Sequence, residues 1–450
     1  MTAPTPVPRR YAVIGTGHRS EMYLRALADS HAEHAVPVAF VDPNPVRMQY
    51  YVDLVASLHP ELAPPSRWAP EEFEQMVAAV RPDAVVVTTP DALHSEYIVA
   101  ALTHDLDVVV EKPITTTAAK ARAIAEAAQR SAGSITMTFN YRYSPRNSLV
   151  RRLVADGEIG TVTSVHFEWL LDTGHGADYF RRWHREKEMS GGLQIHKASH
   201  HFDLVNWWLS DAPTTVTALG ARRFYGAEHA SEHGVDPAAR TSRQLAAEDP
   251  FRIDLAADER MRRLNLEAES ADGYARDQNV FGEGVSIEDT LSMLVGYREG
   301  AALTYSLHAY APWEGYRVAL NGTRGRIELD VVEKPHRAPE ETEIDPSARA
   351  EDGAADGAEA TVEVRPRRSV LRLQRQWERA VEVPIPEGRG GHGGGDAMLL
   401  DDVFGVPAED PLGRRASWRD GLRSAAIGIA AEESMRTGST VDVAALGIEL

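Results

Sequence analysis

The chain has 450 residues, an apolar content of 43% and a formal charge of −19. This length exceeds what one small core needs and predicts two domains. The acidity argues against binding to nucleic acid or to an anionic membrane surface. No stretch approaches the roughly 20 apolar residues of a membrane helix, and the N-terminal residues lack the apolar core of a signal peptide. Cysteine is absent, which excludes disulfides and thiolate metal sites, so we expect a cytoplasmic protein.

Short apolar strands alternate with helical patterns over the first 140 residues. The predicted strands cover residues 11–14, 36–41, 84–88, 108–110 and 134–139. The predicted helices begin near Met22 and cover residues 46–57, 93–102 and 118–130. Because continuously apolar strands in regular alternation with helices are typical of parallel sheets, we predict an α/β fold with a Rossmann-type, doubly wound domain over residues 1–139. Ligands of such sheets bind at the carboxyl ends of the strands.

A glycine-rich turn, Gly15-Thr16-Gly17-His18-Arg19-Ser20, follows the first predicted strand. Two glycines let the backbone approach a pyrophosphate at a helix N-terminus, although Ser20 stands where the usual motif has a third glycine. Asp42 ends the second strand, where a carboxylate accepts hydrogen bonds from a ribose 2′-hydroxyl and repels a 2′-phosphate. The alternative is a tight turn without a ligand. The pattern favours NAD over NADP, bound by Gly15, Gly17, His18, Arg19, Ser20 and Asp42.

Only five of the 48 basic residues are lysines, so a remaining lysine is a candidate for a role that arginine cannot fill. Lys112, in Glu111-Lys112-Pro113, ends a strand at the same sheet edge as the glycine turn. Its amine is placed to polarise a substrate hydroxyl or to tune a neighbouring base, and the alternative is a plain salt bridge. A second Glu-Lys-Pro ends at Pro335 without such a setting. It precedes an acidic stretch, residues 338–360, that we expect to be flexible.

Several motifs together resemble the glucose–fructose oxidoreductase / inositol dehydrogenase / MocA family. The matching residues are Gly15, Gly17, Asp42, Thr89, Pro90, His94, Glu111, Lys112, Pro113, Asn140, Tyr141 and Arg142. The resemblance implies that residues 140–450 form a C-terminal α/β domain with an open, mainly antiparallel sheet, and that the chain is a homo-oligomer. It also implies oxidation or reduction of a sugar or cyclitol with NAD(P). Thr89, Pro90, His94 and Glu111 then become cofactor contacts.

A polar helix pattern covers residues 191–203. His196, His200 and Asp203 are spaced i, i+4 and i+7 and therefore share one helix face. The family usually has Asp-x-x-x-His-x-x-Asp here, so His200 and Asp203 match and His196 replaces the first aspartate. The resemblance implies that His200 is the acid/base, a role that suits an imidazole at neutral pH. We expect Lys112 to assist it, while His196 binds the substrate or relays a proton.

Two other interpretations of this histidine pattern stay open. Two histidines at i and i+4 with a carboxylate can bind zinc. The family does not usually need a metal and Lys197 would repel one, so we predict no metal. The histidines can also be satisfied core residues at a domain contact.

A second polar cluster, residues 172–184, follows a predicted strand over 162–170. We expect a loop that contacts the substrate, and the alternative is a solvated loop. The run of glycines around His392 fits a flexible linker and a close approach to a ligand equally well. The predicted substrate contacts are Arg142, Asp178, Tyr179, Arg182, His184, Lys197 and His392.

These patterns predict an NAD-dependent oxidoreductase that moves a hydride between a secondary hydroxyl carbon of a sugar or cyclitol and the nicotinamide. One alternative is an NAD-dependent glycoside hydrolase, in which transient oxidation acidifies a neighbouring C–H and the glycoside is eliminated. Another alternative is a non-catalytic dinucleotide-binding sensor.

Overall fold

The computed structural model describes residues 7–339, 341, 365–386, 391–406 and 409–450, with the backbone alone for 391–393. Most of the stretch predicted to be flexible, residues 342–360, lies outside the described residues, as does the side chain of His392. The described chain folds around a seven-stranded and a nine-stranded sheet. None of its described helices is both long and apolar enough to cross a membrane.

The N-terminal domain alternates strands and helices as the sequence predicts. Its strands are β1 (Arg9–Ile14), β2 (Ala35–Val41), β3 (Ser66–Trp68), β4 (Ala84–Val87), β5 (Asp107–Val110) and β6 (Ile135–Met137). Its helices are α1 (Ser20–Arg25, continued by a π-helical turn over Ala26–Ser30), α2 (Pro45–Leu58), α3 (Phe73–Val80), α4 (His94–Thr103) and α5 (Ala118–Arg130). The strands pair in parallel in the order β6-β5-β4-β1-β2-β3. The predicted doubly wound sheet is confirmed.

The C-terminal domain is built on the larger sheet. Its helices are α6 (Pro145–Ala155), α7 (Thr173–Arg181), α8 (Lys187–Ser190), α9 (Leu193–His196), α10 (Ala198–Leu209), α11 (Glu259–Met261), α12 (Glu269–Asp272), α13 (Gly391–Phe404) and α14 (Trp418–Thr437). Its strands are β7 (Val162–Asp172), β8 (Pro213–Ala221), β9 (Thr290–Tyr297), β10 (Ala302–Ala311), β11 (Glu314–Gly322), β12 (Gly325–Lys334), β13 (Arg368–Arg375), β14 (Val381–Val383), β15 (Ala416–Ser417) and β16 (Val441–Asp442).

The larger sheet has the strand order β14-β13-β12-β11-β7-β10-β9-β8-β16. Only β7 and β10 pair in parallel, so the predicted mainly antiparallel sheet is confirmed. The short strand β15 leaves this domain and adds antiparallel to β6. Leu219 and Leu294, on the neighbouring strands β8 and β9, are 74% and 53% exposed. The expected oligomer contact across this sheet stays a prediction.

Two segments of the C-terminal domain close onto the Rossmann domain. One is the long connection between β8 and β9, whose Leu264 is buried in the core beside α2. The Asn44 side chain, at the N-cap of α2, donates a hydrogen bond to the Ala268 carbonyl at 3.0 Å. The other is α13, whose Phe404 lies edge-on to Tyr11 with ring centroids 5.1 Å apart. The first contact lies at the carboxyl edge of the parallel sheet, and the second places α13 on the face of the sheet beside α1.

One local prediction is wrong, and one of two open alternatives is excluded. Residues 172–184 were expected to be a loop, but α7 occupies most of them because Asp172 caps its start and accepts hydrogen bonds from the Gly174 and His175 amides. Gly176 lets this helix lie on β10, since a β-carbon there would stand 1.6 Å from the Ala309 oxygen. The glycine run around His392 forms the start of α13. It is therefore not a linker.

A buried ion pair joins the start of the C-terminal domain to α10. The Arg142 guanidinium donates to both carboxylate oxygens of Asp203, at 2.5 and 2.8 Å, and both side chains are almost fully buried. Arg142 Nη1 also donates to the Gly413 carbonyl. Removing one partner of such a pair leaves an uncompensated buried charge.

Asp203→Ala should therefore lower the free energy of unfolding by about 3–5 kcal/mol. Urea denaturation followed by circular dichroism measures this change. Glu433→Ala is the matched control, because Glu433 pairs with Arg436 on the exposed side of α14 and should leave stability unchanged. Equal effects of the two substitutions would contradict the role assigned to the buried pair.

Candidate active site

A cleft of about 600 Å³ lies where the two domains meet. Its floor is formed by the loops after β1, β2, β4 and β5, as expected for a ligand site of a doubly wound sheet. Its other walls come from α7 to α10 and from the connection between β8 and β9. Sixteen of the residues with predicted roles line it: Gly15, Gly17, His18, Arg19, Asp42, Thr89, Pro90, His94, Glu111, Lys112, Tyr179, Arg182, His184, His196, Lys197 and His200.

Among the described side chains, three with predicted roles do not line the cleft. Ser20 is buried in the first turn of α1, where its hydroxyl donates to the Gly17 carbonyl at 2.6 Å. Arg142 is held by Asp203 away from the cleft. Asp178 lies behind the wall, between Arg182 and Arg276, and the His392 side chain lies outside the described residues.

The glycine turn leaves open space for a ligand backbone contact. Gly15 has a φ of +88°, and a β-carbon there would lie 2.8 Å from the Thr89 amide nitrogen. A β-carbon on Gly17 would meet no atom within 4 Å. Gly15 therefore fits the turn against β4, whereas Gly17 leaves the cleft side free, which fits a pyrophosphate.

Asp42 is held rigidly at the end of β2. Its two carboxylate oxygens accept the amide hydrogens of Thr16 and Asn44 at 2.6 and 2.7 Å. Burial raises the pKa of this carboxyl, and the two amides oppose that shift. Arg47 also lines the cleft, but its guanidinium is bound by Asp272 of the C-terminal domain at 2.6 Å.

Glu111 organises the loop after β5 through buried hydrogen bonds. Its carboxylate accepts from Arg19 at 2.5 Å and from the Tyr23 hydroxyl at 2.7 Å. Burial would raise the pKa of Glu111, but the cations of Arg19 and Lys112 hold it below its ordinary value. The ring nitrogens of His94 face the Pro113 and Thr89 carbonyls at 2.7 and 3.0 Å. Both side chains therefore fix the loops that carry Lys112.

Lys112 reaches across the cleft to the C-terminal domain. Its Nζ lies 3.3 Å from His196 Nε2 and 3.4 Å from the His196 carbonyl. Burial lowers the pKa of this amine to about 8, although Asp91 and Glu111 oppose the shift. The amine therefore exchanges a proton near neutral pH, as a group that handles a substrate hydroxyl must.

His196 is also bound from its other side. Its Nδ1 lies 2.6 Å from Asp91 Oδ2, and both side chains are buried. Asp91 follows Pro90 directly, and no local sequence pattern predicts its role, because its partner His196 lies 105 residues further along the chain. The histidine helix is interrupted at Lys197, between α9 and α10, yet His196 and His200 both face the cleft.

His200 and Lys197 lie on an aromatic wall. The His200 ring stacks on Tyr141 with centroids 4.3 Å apart. Lys197 Nζ lies 4.8 Å from the Trp169 ring centroid and donates to the Tyr141 hydroxyl at 3.3 Å. Burial lowers the pKa of Lys197. The two aromatic rings therefore fix His200 and Lys197, which line the cleft.

Arginines, tyrosines and histidines form the wall opposite Lys112. Arg182 and Arg276 both pair with Asp178 at 2.9 Å, and Arg182 lines the cleft. The Tyr179 hydroxyl lies 3.2 Å from the His175 ring, which is held by Glu314 at 2.6 Å. Sequence patterns did not predict His175 or Arg276 as lining residues, because their positions depend on long-range packing.

Among the described residues, no three His, Asp or Glu side chains are grouped so that they could hold a metal ion. In the cleft, the described partners of His196 are instead a carboxylate and an amine.

Comparison with known proteins agrees with this architecture. Residues 9–139 match the model of an oxidoreductase family with an NAD-binding Rossmann fold, and residues 151–443 match its C-terminal alpha/beta domain. The chain therefore belongs to the Gfo/Idh/MocA oxidoreductase family, as its motifs predicted, and is an oxidoreductase whose N-terminal domain binds NAD.

Individual relatives span nearly the whole chain. It is 34% identical over 423 residues to the putative oxidoreductase YteT of Bacillus subtilis, covering 92% of each chain. A levoglucosan dehydrogenase solved with NADH and levoglucosan is similar in fold, with a TM-score of 0.64 at 16% identity over 97% of this chain and all of that one. The aldose-aldose oxidoreductase of Caulobacter crescentus has a TM-score of 0.61 at 17% identity over the same shares.

The two glycines of the turn should respond differently to alanine. Gly15→Ala should lower the free energy of unfolding by about 1–3 kcal/mol, because a β-carbon is strained at this φ and meets the Thr89 backbone. Gly17→Ala should fold normally but weaken NAD binding, since its β-carbon enters the space left for the ligand. Thermal unfolding and calorimetric titration with NAD measure the two effects, and normal NAD affinity in Gly17→Ala would contradict the assignment.

Proposed function

We propose that the chain is an NAD-dependent oxidoreductase that transfers a hydride between a secondary hydroxyl carbon of a sugar or cyclitol and the nicotinamide. The observation that carries the proposal is the position of Lys112 and His200 in one cleft with the glycine turn and Asp42. When bound, the dinucleotide supplies the hydride acceptor. The residues that would hold it are Gly15, Gly17, His18, Arg19, Asp42, Thr89, Pro90, His94 and Glu111.

Lys112 and His200 have different roles at the substrate hydroxyl. The Lys112 ammonium donates a hydrogen bond to the hydroxyl oxygen and stabilises negative charge as it develops. His200 takes the hydroxyl proton, a step that an imidazole performs near neutral pH. Because the pKa of Lys112 is about 8, its amine is also able to pass a proton on.

The remaining walls orient the substrate. Tyr179, Arg182, His184 and Lys197 present donors around the cleft, and Trp169 and Tyr141 back Lys197. This mixture of donors and ring faces fits a polyol ring. Levoglucosan and an aldose are named for two proteins of similar fold, and inositol is named for an inositol 2-dehydrogenase of Rhizobium meliloti that is 30% identical over 33% of this chain.

A second candidate is the redox-cycling glycoside hydrolase. Four titratable side chains line the cleft near Lys112: His184, His196, His200 and Tyr179. A single hydride transfer needs fewer proton donors and acceptors than this. Elimination of a glycoside requires further proton transfers, and the return of the hydride to the oxidised sugar regenerates the oxidised cofactor. A panel of free sugars, cyclitols and glycosides separates the candidates, because only the dehydrogenase accumulates NADH in proportion to the substrate consumed.

Lys112→Ala and His200→Ala should each lower kcat by a factor on the order of 10² or more, because each removes a group that contacts the reacting hydroxyl. Initial rates of NADH formation with the best substrate measure this. Lys334→Ala is the matched control: Lys334 lies in the other Glu-Lys-Pro, pairs with Glu341 at 2.7 Å and should leave the rate unchanged. Wild-type rates in either cleft variant would refute its role.

Asp42→Ala should reduce the preference for NAD over NADP about tenfold, because a charged acceptor for the ribose hydroxyl is lost together with its repulsion of a phosphate. Dissociation constants of both dinucleotides give the ratio. Asp83→Ala controls for the loss of a backbone cap, since Asp83 accepts the Arg10 amide at 2.8 Å next to the amino end of β4. An unchanged ratio in Asp42→Ala would remove this residue from the cofactor site.

A further inference from the structure

His196 bridges the two domains at the centre of the cleft. Its Nδ1 meets Asp91 Oδ2 at 2.6 Å, and its Nε2 meets Lys112 Nζ at 3.3 Å. Asp91 and Lys112 belong to loops of the Rossmann domain, whereas His196 ends α9 of the C-terminal domain. The ring is 7% exposed and Asp91 is 2% exposed, so neither is solvated like a surface group.

Hydrogen-bond chemistry fixes where the ring proton lies. A lysine ammonium only donates, so Nε2 must accept and carries no proton. The single ring proton of neutral imidazole then lies on Nδ1, where the carboxylate of Asp91 accepts it. Burial and the neighbouring cations of Lys112, Arg182 and Lys197 lower the pKa of His196, which favours this neutral ring.

We propose that Asp91 is a positioning residue: its carboxylate holds His196 as the Nδ1–H tautomer and thereby aims Nε2 at the Lys112 amine. This rests on the proposed function, in which Lys112 acts on the substrate hydroxyl. The chain has a histidine at position 196, where its family usually has an aspartate. Asp91 returns the missing carboxylate to the cluster from the opposite domain, with the imidazole placed between it and Lys112.

Burial raises the pKa of the Asp91 carboxyl, and the neighbouring cations of Lys112 and Arg182 oppose that rise. In its ionised form Asp91 also acts on Lys112 through its charge. The carboxylates of Asp91 and Glu111 raise the pKa of Lys112, while Lys197 and Arg19 lower it together with burial. The ring of His196 is also faced by His184 and Tyr179, whose ring centroids lie 4.2 and 5.6 Å from its own, and by Arg182. Neutralising Asp91 therefore lowers the pKa of Lys112 below about 8. The limb of the pH–rate profile that reports the ionisation of Lys112 then moves to lower pH.

The tautomer is measured by nitrogen NMR on the full-length protein with ¹⁵N-labelled histidine. In the wild type, one imidazole should show a protonated Nδ1, an unprotonated Nε2 and a far-downfield N–H proton. His196→Gln assigns these signals by removing them. In Asp91→Asn, the Nδ1–H proton of His196 should move well upfield, because a neutral amide oxygen accepts more weakly than a carboxylate. Asp91→Ser replaces that variant if it does not fold. An unmoved Nδ1–H proton in the variant would overturn the proposal.

Asp401→Asn is the matched control, because Asp401 also pairs with a histidine, His31, at 3.0 Å but outside the cleft. It should leave the His196 signals and the rate profile unchanged. An upfield move of the His196 Nδ1–H proton in this variant as well would mean that the effect is general, and it would count against Asp91.

Kinetics give the second readout. Asp91→Asn should lower kcat by about tenfold or more, with NAD affinity retained and the limb due to Lys112 moved to lower pH. In the His196→Gln background the same substitution should have little further effect, because the carboxylate acts through the ring. Wild-type kcat and an unmoved limb would overturn the proposal. If the wild type turns over no sugar, the proposed function fails, while the Nδ1–H proton of His196 still decides the role of Asp91.

Discussion

Charged side chains are buried where the two domains meet, and their need for partners constrains how the domains pack. Lys112, Asp91, Glu111 and His196 are all placed where little water reaches them. A buried charge without a partner costs several kcal/mol, so each must find one within the protein. The partners come from both domains. The same ion pairs and hydrogen bonds therefore hold the two domains together and shift the pKa values of the cleft residues.

This burial has a chemical consequence. In a medium of low dielectric constant, a charge or dipole acts more strongly on its neighbours than it does in water. Desolvation lowers the pKa of the Lys112 amine to about 8 against the opposing carboxylates of Asp91 and Glu111. The cations of Arg19 and Lys112 keep the Glu111 carboxyl ionised although it is surrounded by protein. Groups that are inert at neutral pH on a surface become proton donors and acceptors here. Such shifts concentrate at functional sites, which supports the placement of the reaction at this cleft.

The elements that depend on local sequence pattern could be predicted from the sequence. Strand and helix periodicity predicted the Rossmann domain, and α5 begins and ends at the predicted residues, 118 and 130. The glycine turn, Asp42 and Lys112 meet because the carboxyl ends of parallel strands share one edge. The C-terminal sheet was expected from family resemblance alone, because its strand order places β7 between β10 and β11, which lie far from it in the sequence.

Long-range packing explains what the sequence did not reveal. Arg142 was predicted to contact the substrate. Its guanidinium instead donates a hydrogen bond to the buried carboxylate of Asp203, which lies much further along the sequence. Because of its glycines at 174 and 176, the segment of α7 was expected to be a loop. The packing of α7 on β10 depends on the absence of a side chain at Gly176. Asp91 stood beside a recognised motif, but nothing in the chain indicated that α9 would bring a histidine to it.

The pairing of Asp91 with His196 shows how a family can change one member of a cluster and keep its electrostatics. Replacing a carboxylate by an imidazole removes a negative charge next to Lys112, which would lower the pKa of the amine further. A carboxylate on the far side of the ring restores that charge at a greater distance, so it opposes the shift less strongly. The imidazole can also accept a proton from one neighbour while it donates to the other, which a carboxylate in its place could not do without first being protonated. In this arrangement the geometry at Lys112 depends on how the C-terminal domain docks, because the ring and the carboxylate that orients it belong to different domains.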